Sequence, residues 1–373
     1  QMAAISMQDR EDIPEFLEAF TGSHRFVLDY LVEEVLNKQK PEILDFLLKT
    51  SILERMTAPL CDAIIENCVA TDILPQLEKA NLFLIALDEQ RNWYRYHHLF
   101  ADLLHKQLRL KFPEQIPDIH RLASQWYAQN DFPSEAVEHA LKCKDWDFAA
   151  TQVEEFILAL IQNGEMTLAR QWIASLPEEN IQRSPTLCIA QAWTSAQYAS
   201  VEIAEDLLAQ AEATLVKAAS EKGYLDPKTH EMLNRQIAVL QVVIARTRGD
   251  STYRQQELAL KTLEHLIPPN DAALRSTLFF RLGFCYLDLG KDEQADRIFS
   301  QAFDLGLASE NRYAVHGANY GRMVIAWRHG QLNRLAAICR QTQDAYTTGD
   351  DQGQSLNGIA LIMEGRLLYE RND

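Results

Sequence analysis

The chain has 373 residues, 53 acidic against 36 basic, with 47% hydrophobic and 24% charged residues and a net charge of −17. That length predicts two or more domains or one extended repeat array, and the composition is that of a folded chain, not a disordered one. The acidic balance argues against a general nucleic-acid-binding surface. The longest apolar runs, such as Leu82–Leu87, are too short to cross a bilayer, and no signal-peptide pattern opens the chain, so a cytoplasmic protein without membrane contact is expected.

In chain order, Gln8–Asp12 and Pro14 precede the apolar Phe16, Leu17 and Phe20. Thr21-Gly22-Ser23 then offers Ser23 as an N-cap for HRFVLDYLVEEVL, whose Val27, Leu31 and Val35 recur at helical spacing. Lys40-Pro41 starts another helix, with Ile43, Leu44, Leu47 and Leu48 on its buried side. Two short helices are predicted over roughly Ala58–Asn67 and Thr71–Asn81. The apolar run Leu82–Leu87, the polar turn Asp88–Asn92 and the aromatic Trp93–Tyr96 read as a β-hairpin. An amphipathic helix carrying Leu99, Phe100, Leu103, Leu104 and Leu108 follows. Three helices, a hairpin and a helix make a winged-helix-like unit. Its third helix holds Asp72, Gln76, Glu78 and Lys79 and no arginine, unlike a helix that reads the major groove.

After residue 115 the pattern is of helix pairs that repeat. In FRLGFCYLDLGKDEQADRIFSQAFDLG, residues 280–306, Gly283, Tyr286, Gly290, Ala295, Phe299 and Ala302 fall at the offsets of a tetratricopeptide unit. Turn glycines at 249, 290 and 330 recur about every forty residues, longer than the ideal of about 34. Earlier turns are expected near Asn130-Asp131, Gly164 and Ala199, and a polar connection over Glu221–Lys228. The fold class is therefore mainly α: a winged-helix-like unit followed by a right-handed α-superhelix of tetratricopeptide-like helix pairs. The last unit, LIMEGRLLYERND, reads as a first helix alone, and both ends read as cut; a repeat cannot bury its own apolar face, so a partner helix or a sticky edge is expected there.

Much catalytic machinery is missing from the sequence. It has no G-x-x-x-x-G-K-[ST], no G-x-S-x-G, no H-E-x-x-H and no dinucleotide fingerprint, so neither ATP hydrolysis nor any other catalysis is expected of this chain. The six cysteines (61, 68, 143, 188, 285 and 339) never form C-x-x-C, so reduced buried thiols are expected rather than a disulfide framework or a metal site.

Three stretches, DREDIPEFLEAFTGSHRFVLDYLVEEVL, FLLKTSIL and LEKANLFLIALDEQRNWYRYHHLFADLL, carry a family resemblance, extended by LASQWYAQNDFPSEAVEHAL. Over about residues 9–150 the sequence resembles the MalT-like, LuxR-type transcriptional regulators, which are signal-transduction ATPases with numerous domains (STAND). The resemblance implies the helical end of an ATPase module over 1–38, a winged-helix arm over 39–112 and a tetratricopeptide-like sensor over 113–373. It implies ATP or ADP with Mg in the full-length protein and no cofactor in this chain, which lacks the family's phosphate-binding loop and DNA reader. It also implies self-association in the active full-length state.

The resemblance bears on Tyr96-His97-His98-Leu99. In related ATPases a Met-His-Asp segment of the winged helix contacts the ADP phosphate, and His97 stands at the His position, with His98 in place of Asp. An imidazole at a helix start adds to free N–H groups that favour an anion. The bland alternative is that His97 caps the helix or links hairpin to helix. A metal pair is disfavoured, because adjacent helical side chains diverge and His105 lies two turns from His98.

For the sensor, an effector surface is expected on the first helices of the repeats, with Trp193, Gln236, Arg246, Tyr320, Trp327 and Arg328 as candidates. Aromatic faces would hold a ring or sugar, and arginine an anionic group. Repeat packing is the competing role for the tryptophans. The expected function is the regulatory portion of an ATP-dependent transcriptional regulator, coupling a small-molecule or protein effector to a nucleotide-controlled open or closed state. The rival is a protein-binding scaffold with no small-molecule effector; an enzyme fused to repeats is a third option, for which no catalytic set is present.

Overall fold

The computed structural model describes residues 36, 38–65, 68–80, 82–196, 200–220, 225–344 and 358–371. The Ser23 cap, nearly all of the helix it would start, and the turn at Ala199 lie outside the described residues. The chain divides into two compact units between Gln152 and Val153. The first runs on past residue 112 to take in a helix pair.

In the first unit, α1 (Pro41–Thr50), α2 (Ala58–Ile64) and α3 (Ala70–Lys79) precede β1 (Leu84–Ala86), β2 (Tyr94–Tyr96) and α4 (His98–Lys111); α5 (Ile116–Gln129) and α6 (Pro133–Lys142) follow. Helix α2 is shorter than its sequence suggests, because Ile65 is already extended (φ −129°, ψ 115°). Thr57 caps it, its side chain accepting from the Leu60 amide, and the Asp62 carboxylate accepts from the Ala70 amide at 2.8 Å to start α3. The hairpin is antiparallel, with Leu84 opposite Tyr96 and Ala86 opposite Tyr94. Tyr94 and Tyr96 face inward and Arg95 outward, as the two-residue period of a strand requires. Asp88 ties the wing turn by accepting from the Asn92 and Trp93 amides at 3.1 and 2.7 Å.

Phe46, Leu47, Leu48, Leu60, Leu74, Leu77, Phe100 and Leu104 form the fully buried core of this unit. Its polar members are paired: the Thr50 hydroxyl donates to Phe46 O and lies 2.7 Å from the Tyr96 hydroxyl. The wing is fastened to the first helix pair. Arg55 stacks over Trp93 at 4.6 Å and Phe132 at 5.2 Å, and its guanidinium meets Glu135 at 2.6 Å. Trp93 and Phe132 pack edge to face, and the Tyr127 hydroxyl donates to Arg55 O at 3.2 Å. The exposed half of the ion pair adds little; the stacking of two aromatic rings and a guanidinium carries the joint.

The second unit continues the pairs. Helix α7 (Trp146–Gln162) straddles the division and is followed by α8 (Met166–Ser175), the short α9 (Glu178–Arg183), α10 (Pro185–Ser195) and α11 (Val201–Ser220). Then come α12 (Pro227–Thr247) with α13 (Thr252–Glu264), α14 (Ala272–Asp288) with α15 (Asp292–Ala308), α16 (Arg312–Arg328) with α17 (Leu332–Asp344), and α18 (Gly358–Arg371). Proline at the first turn of α10 and α12 presets the helical φ. Asp226 caps α12, accepting from the Lys228 and Thr229 amides at 2.9 and 3.1 Å.

The four turn glycines share one geometry. Gly164, Gly249, Gly290 and Gly330 all have φ between 64° and 81°. Each donates to the carbonyl three residues back, while the next residue reaches five back, as in Lys291 N to Tyr286 O at 2.9 Å. This closure satisfies the last free carbonyls of a helix and needs a left-handed residue. Glu310 adopts the same conformation at the end of α15.

Between pairs, the decisive contact is Phe299 of α15. A Cβ on Gly283 of α14 would lie 2.6 Å from its ring, and one on Gly321 of α16 only 2.2 Å. Both glycines exist to admit the ring. Phe280 fits against Gly317 in the same way, at 2.8 Å. Asn311, 1% exposed, adds direction: its amide donates to Ala273 O, Ser276 Oγ and Thr277 Oγ1 of α14, and its carbonyl accepts from Ala314 N of α16.

Two outcomes follow from this packing. Gly321→Ala should destabilise the protein by about 1–3 kcal/mol in chemical denaturation, with partial recovery when Phe299→Leu is added; full stability of the single variant would contradict the contact. In the first unit His120 and His139 are each 4% exposed, with Nδ1 atoms 3.0 Å apart. Burial, then the neighbouring histidine and Lys142, push His120 down to about 3; burial, then Lys142, push His139 down to about 4. Both are neutral in the fold, whereas in the unfolded chain they titrate near their ordinary 6.5. Their contribution is thus complete above that value and is lost as pH falls from there toward the folded values. Denaturation midpoints of His139→Gln, relative to its own value at neutral pH, should fall less between neutral and pH 5 than those of the native chain.

Candidate functional site

His97 is the residue on which hairpin and helix turn. Its backbone is extended (φ −60°, ψ 133°), immediately before α4. Its amide donates to Phe83 O at 2.8 Å, and its carbonyl accepts from the Phe100 and Ala101 amides. The linking role is therefore performed by the backbone, and the side chain makes no capping hydrogen bond. His97 is half-buried, and its Nδ1 is buried with no partner among the described residues. Beside it the amides of His98 and Leu99 head the helix without intrahelical acceptors, as first-turn amides do.

The His97 and His98 rings stack at 4.4 Å between centroids, where divergent directions are expected for two helical neighbours. The reason is local: only His98 is helical, and the extended backbone at His97 brings its ring back over the next one. Among the described residues no three histidine, cysteine or carboxylate side chains cluster as metal ligands would. Burial, followed by the nearby His98 and Arg95, lowers the His97 pKa, so the ring is neutral at pH 7 and presents one donor and one acceptor. Behind it Tyr96 is buried, its phenol pushed up by that burial, and the ring packs edge to face on Phe100.

The six residues expected to line an effector surface separate into groups. Trp193, 3% exposed, and Gln236, 5% exposed, are inside the helix packing and do not present a surface. Their positions on α10 and α12 are core positions, which helical spacing alone does not distinguish from a lining one. Arg246 and Tyr320 do come together, through a residue that the sequence reading passed over. Arg246 lies over the Phe284 ring at 5.3 Å and pairs with Asp288 at 3.0 Å; Tyr320 is 6.1 Å from the same ring. Phe284 and Asp288 are one turn apart on α14, with Phe284 also packing edge to face on Phe299 at 5.0 Å, and that i, i+4 spacing was the available signal. Trp327, 39% exposed, is covered by Arg366 at 5.1 Å, and Arg328 is exposed on α16. The first helices α12, α14 and α16 thus display an arginine, a phenylalanine and a tyrosine in a row, a surface able to hold a flat ring and an anionic group.

Residues 32–116 match the family model of the MalT winged helix domain. The HTH-type transcriptional regulator MalT of Cronobacter sakazakii is 32% identical over 66% of this chain and 26% of its own length. The serine/threonine-protein kinase PknK of Mycobacterium tuberculosis is 31% identical over 52% of this chain and 18% of its own. The chain therefore spans about a quarter or less of these curated relatives. A crystal structure of a STAND protein with a tetratricopeptide repeat sensor, from Pyrococcus horikoshii, superimposes with a TM-score of 0.51 over 91% of this chain and 58% of that one, at 12% identity; that likeness is one of fold. The chain is thus similar to MalT-like STAND regulators, mainly α, with a MalT-type winged helix followed by helical repeats.

If His97 is held as described, its ring protons should titrate below 6.5 in two-dimensional NMR. A midpoint at or above that value would contradict the desolvated placement.

Proposed function

We propose, from a MalT-like winged helix joined to helical repeats, that this chain is the regulatory portion of an ATP-dependent transcriptional regulator and does no chemistry of its own. In this reading the winged helix senses bound nucleotide and the repeats sense an effector, in the cytoplasm and without direct contact to nucleic acid. The observation that carries it is the buried Nδ1 of His97, without a partner among the described residues, beside the first-turn amides that open α4. A polar atom buried without a partner costs free energy that a ligand can recover, and a helix start favours a phosphate. ADP with Mg would be held chiefly by a nucleotide-binding module, because the chain has no phosphate-cradling loop; His97 contributes one contact to it.

The effector surface is the Arg246–Phe284–Tyr320 row, with Trp327 and Arg328 further along α16. Effector bound there favours an open, self-associating state over the ADP-held closed one, which requires different effector affinities for the two states. The Arg55–Trp93–Phe132 joint supports this reading, since it ties the wing that carries His97 to the first helix pair. In the complete gene product, His97→Ala should speed release of a fluorescent ADP analogue by about tenfold, the worth of one charge-assisted hydrogen bond. Release at the native rate would overturn the nucleotide-sensing role.

A further inference from the structure

Another concave site lies in the first unit, lined in part by the second half of α4, the helix whose start His97 precedes. It is a cavity of about 770 Å³ lined by α4, α5, the end of α6 and the turn into α7, within the size range of small-molecule sites. His105, Arg109, His120, Lys142 and Lys144 line it, and no acidic residue does. In a chain with 53 acidic residues against 36 basic ones, such a lining runs against the composition. The remaining wall is apolar, with Ile52, Pro117, Leu141 and Trp146 among its members, and Trp146 is 40% exposed. We propose that this cavity binds a ring-bearing organic anion, a carboxylate or a phosphate ester, with its ring against Trp146 and its charge met by Arg109, Lys142 and Lys144.

Two of the three cations are not cancelled locally. Arg109 and Lys144 make no ion pair among the described residues, and Lys142 meets only Glu138, on the exposed side of its own helix. The consequence is felt by His105, whose pKa is lowered first by burial and then by Arg109 and Lys142, against a smaller opposing effect of Asp102. Such mutual repulsion is relieved by a bound anion.

The rim is also held in place. Asp145 stands between Lys144 and Trp146, and both its oxygens are engaged: one accepts from the Phe148 amide at 3.0 Å, the other from Arg121 at 2.6 Å. Arg121 in turn lies over Phe148 at 4.7 Å. Lys144 itself sits in the left-handed region (φ 58°), so the turn that positions the lysine and the tryptophan is set by the fold before any ligand arrives. A preset rim loses little freedom on binding.

The test is calorimetric titration of the whole chain with 1-naphthyl phosphate, 1-naphthoate, neutral 1-naphthol and inorganic phosphate. Saturable binding of either naphthyl anion, with naphthol and inorganic phosphate about tenfold weaker or worse, is expected, and the tighter of the two anions identifies the head group. Arg109→Ala with Lys144→Ala should weaken that anion by about tenfold or more, while Lys111→Ala, outside the lining, leaves it unchanged. Both substituted side chains are exposed, and an unchanged melting temperature verifies the fold. No saturable binding, naphthol binding as tightly as the anions, or undiminished binding by the double variant would overturn the proposal.

Discussion

Phe299 occupies the space that two glycines leave open, and the geometry of the later repeats depends on that arrangement. A helix pair packs at the distance its smallest facing residues allow. With Gly283 on one side and Gly321 on the other, one aromatic ring touches the backbones of both α14 and α16. The ring therefore fixes the spacing within its own pair and to the next pair at once. Asn311 then sets direction, since its four hydrogen bonds connect the opening of α16 to α14 with little latitude. Apolar contact gives proximity; the buried amide makes that proximity specific.

The same division of labour runs through the first unit. Leucine and phenylalanine fill the winged-helix core, whereas register and orientation come from single polar groups: Thr50 against Tyr96, Asp88 across the wing turn, Arg55 between two rings. Where such a group has no partner among the described residues, as at the His97 Nδ1, its hydrogen-bonding capacity is left unused. In the proposed reading, one imidazole and two first-turn amides are too few to hold a nucleotide alone and would only report one held by another module.

Much of the fold was legible because its signals are local. Pro41, the Leu82–Leu87 run and Tyr94–Tyr96, and the glycines at 164, 249, 290 and 330 each act within a few residues, so helix starts, hairpin and turns could be read from spacing. Side-chain surroundings could not. Trp193 and Gln236 occupy positions that the helical period allows on either face, and three-dimensional neighbours put them in the core. Phe284 was hidden by the stronger repeat signature of Gly283 and Tyr286 on the same helix. The stacking of His97 on His98 depended on one extended backbone angle that sequence does not encode legibly, and the basic cavity joins residues from Ile52 to Trp146, nearly a hundred positions apart.

The joint around Arg55 also bears on heredity. Trp93 of the wing and Phe132 of the first helix pair share one guanidinium, so recombination between residues 112 and 116 would leave an unmatched tryptophan on one product and an unmatched phenylalanine on the other. The smallest piece that can pass between genes with these contacts intact is the winged helix together with α5, α6 and the start of α7, since Arg121 of α5 engages Asp145 and Phe148. Exchange of sensors among such regulators should accordingly leave its seams beyond the start of α7, with later repeats free to vary behind a retained adaptor.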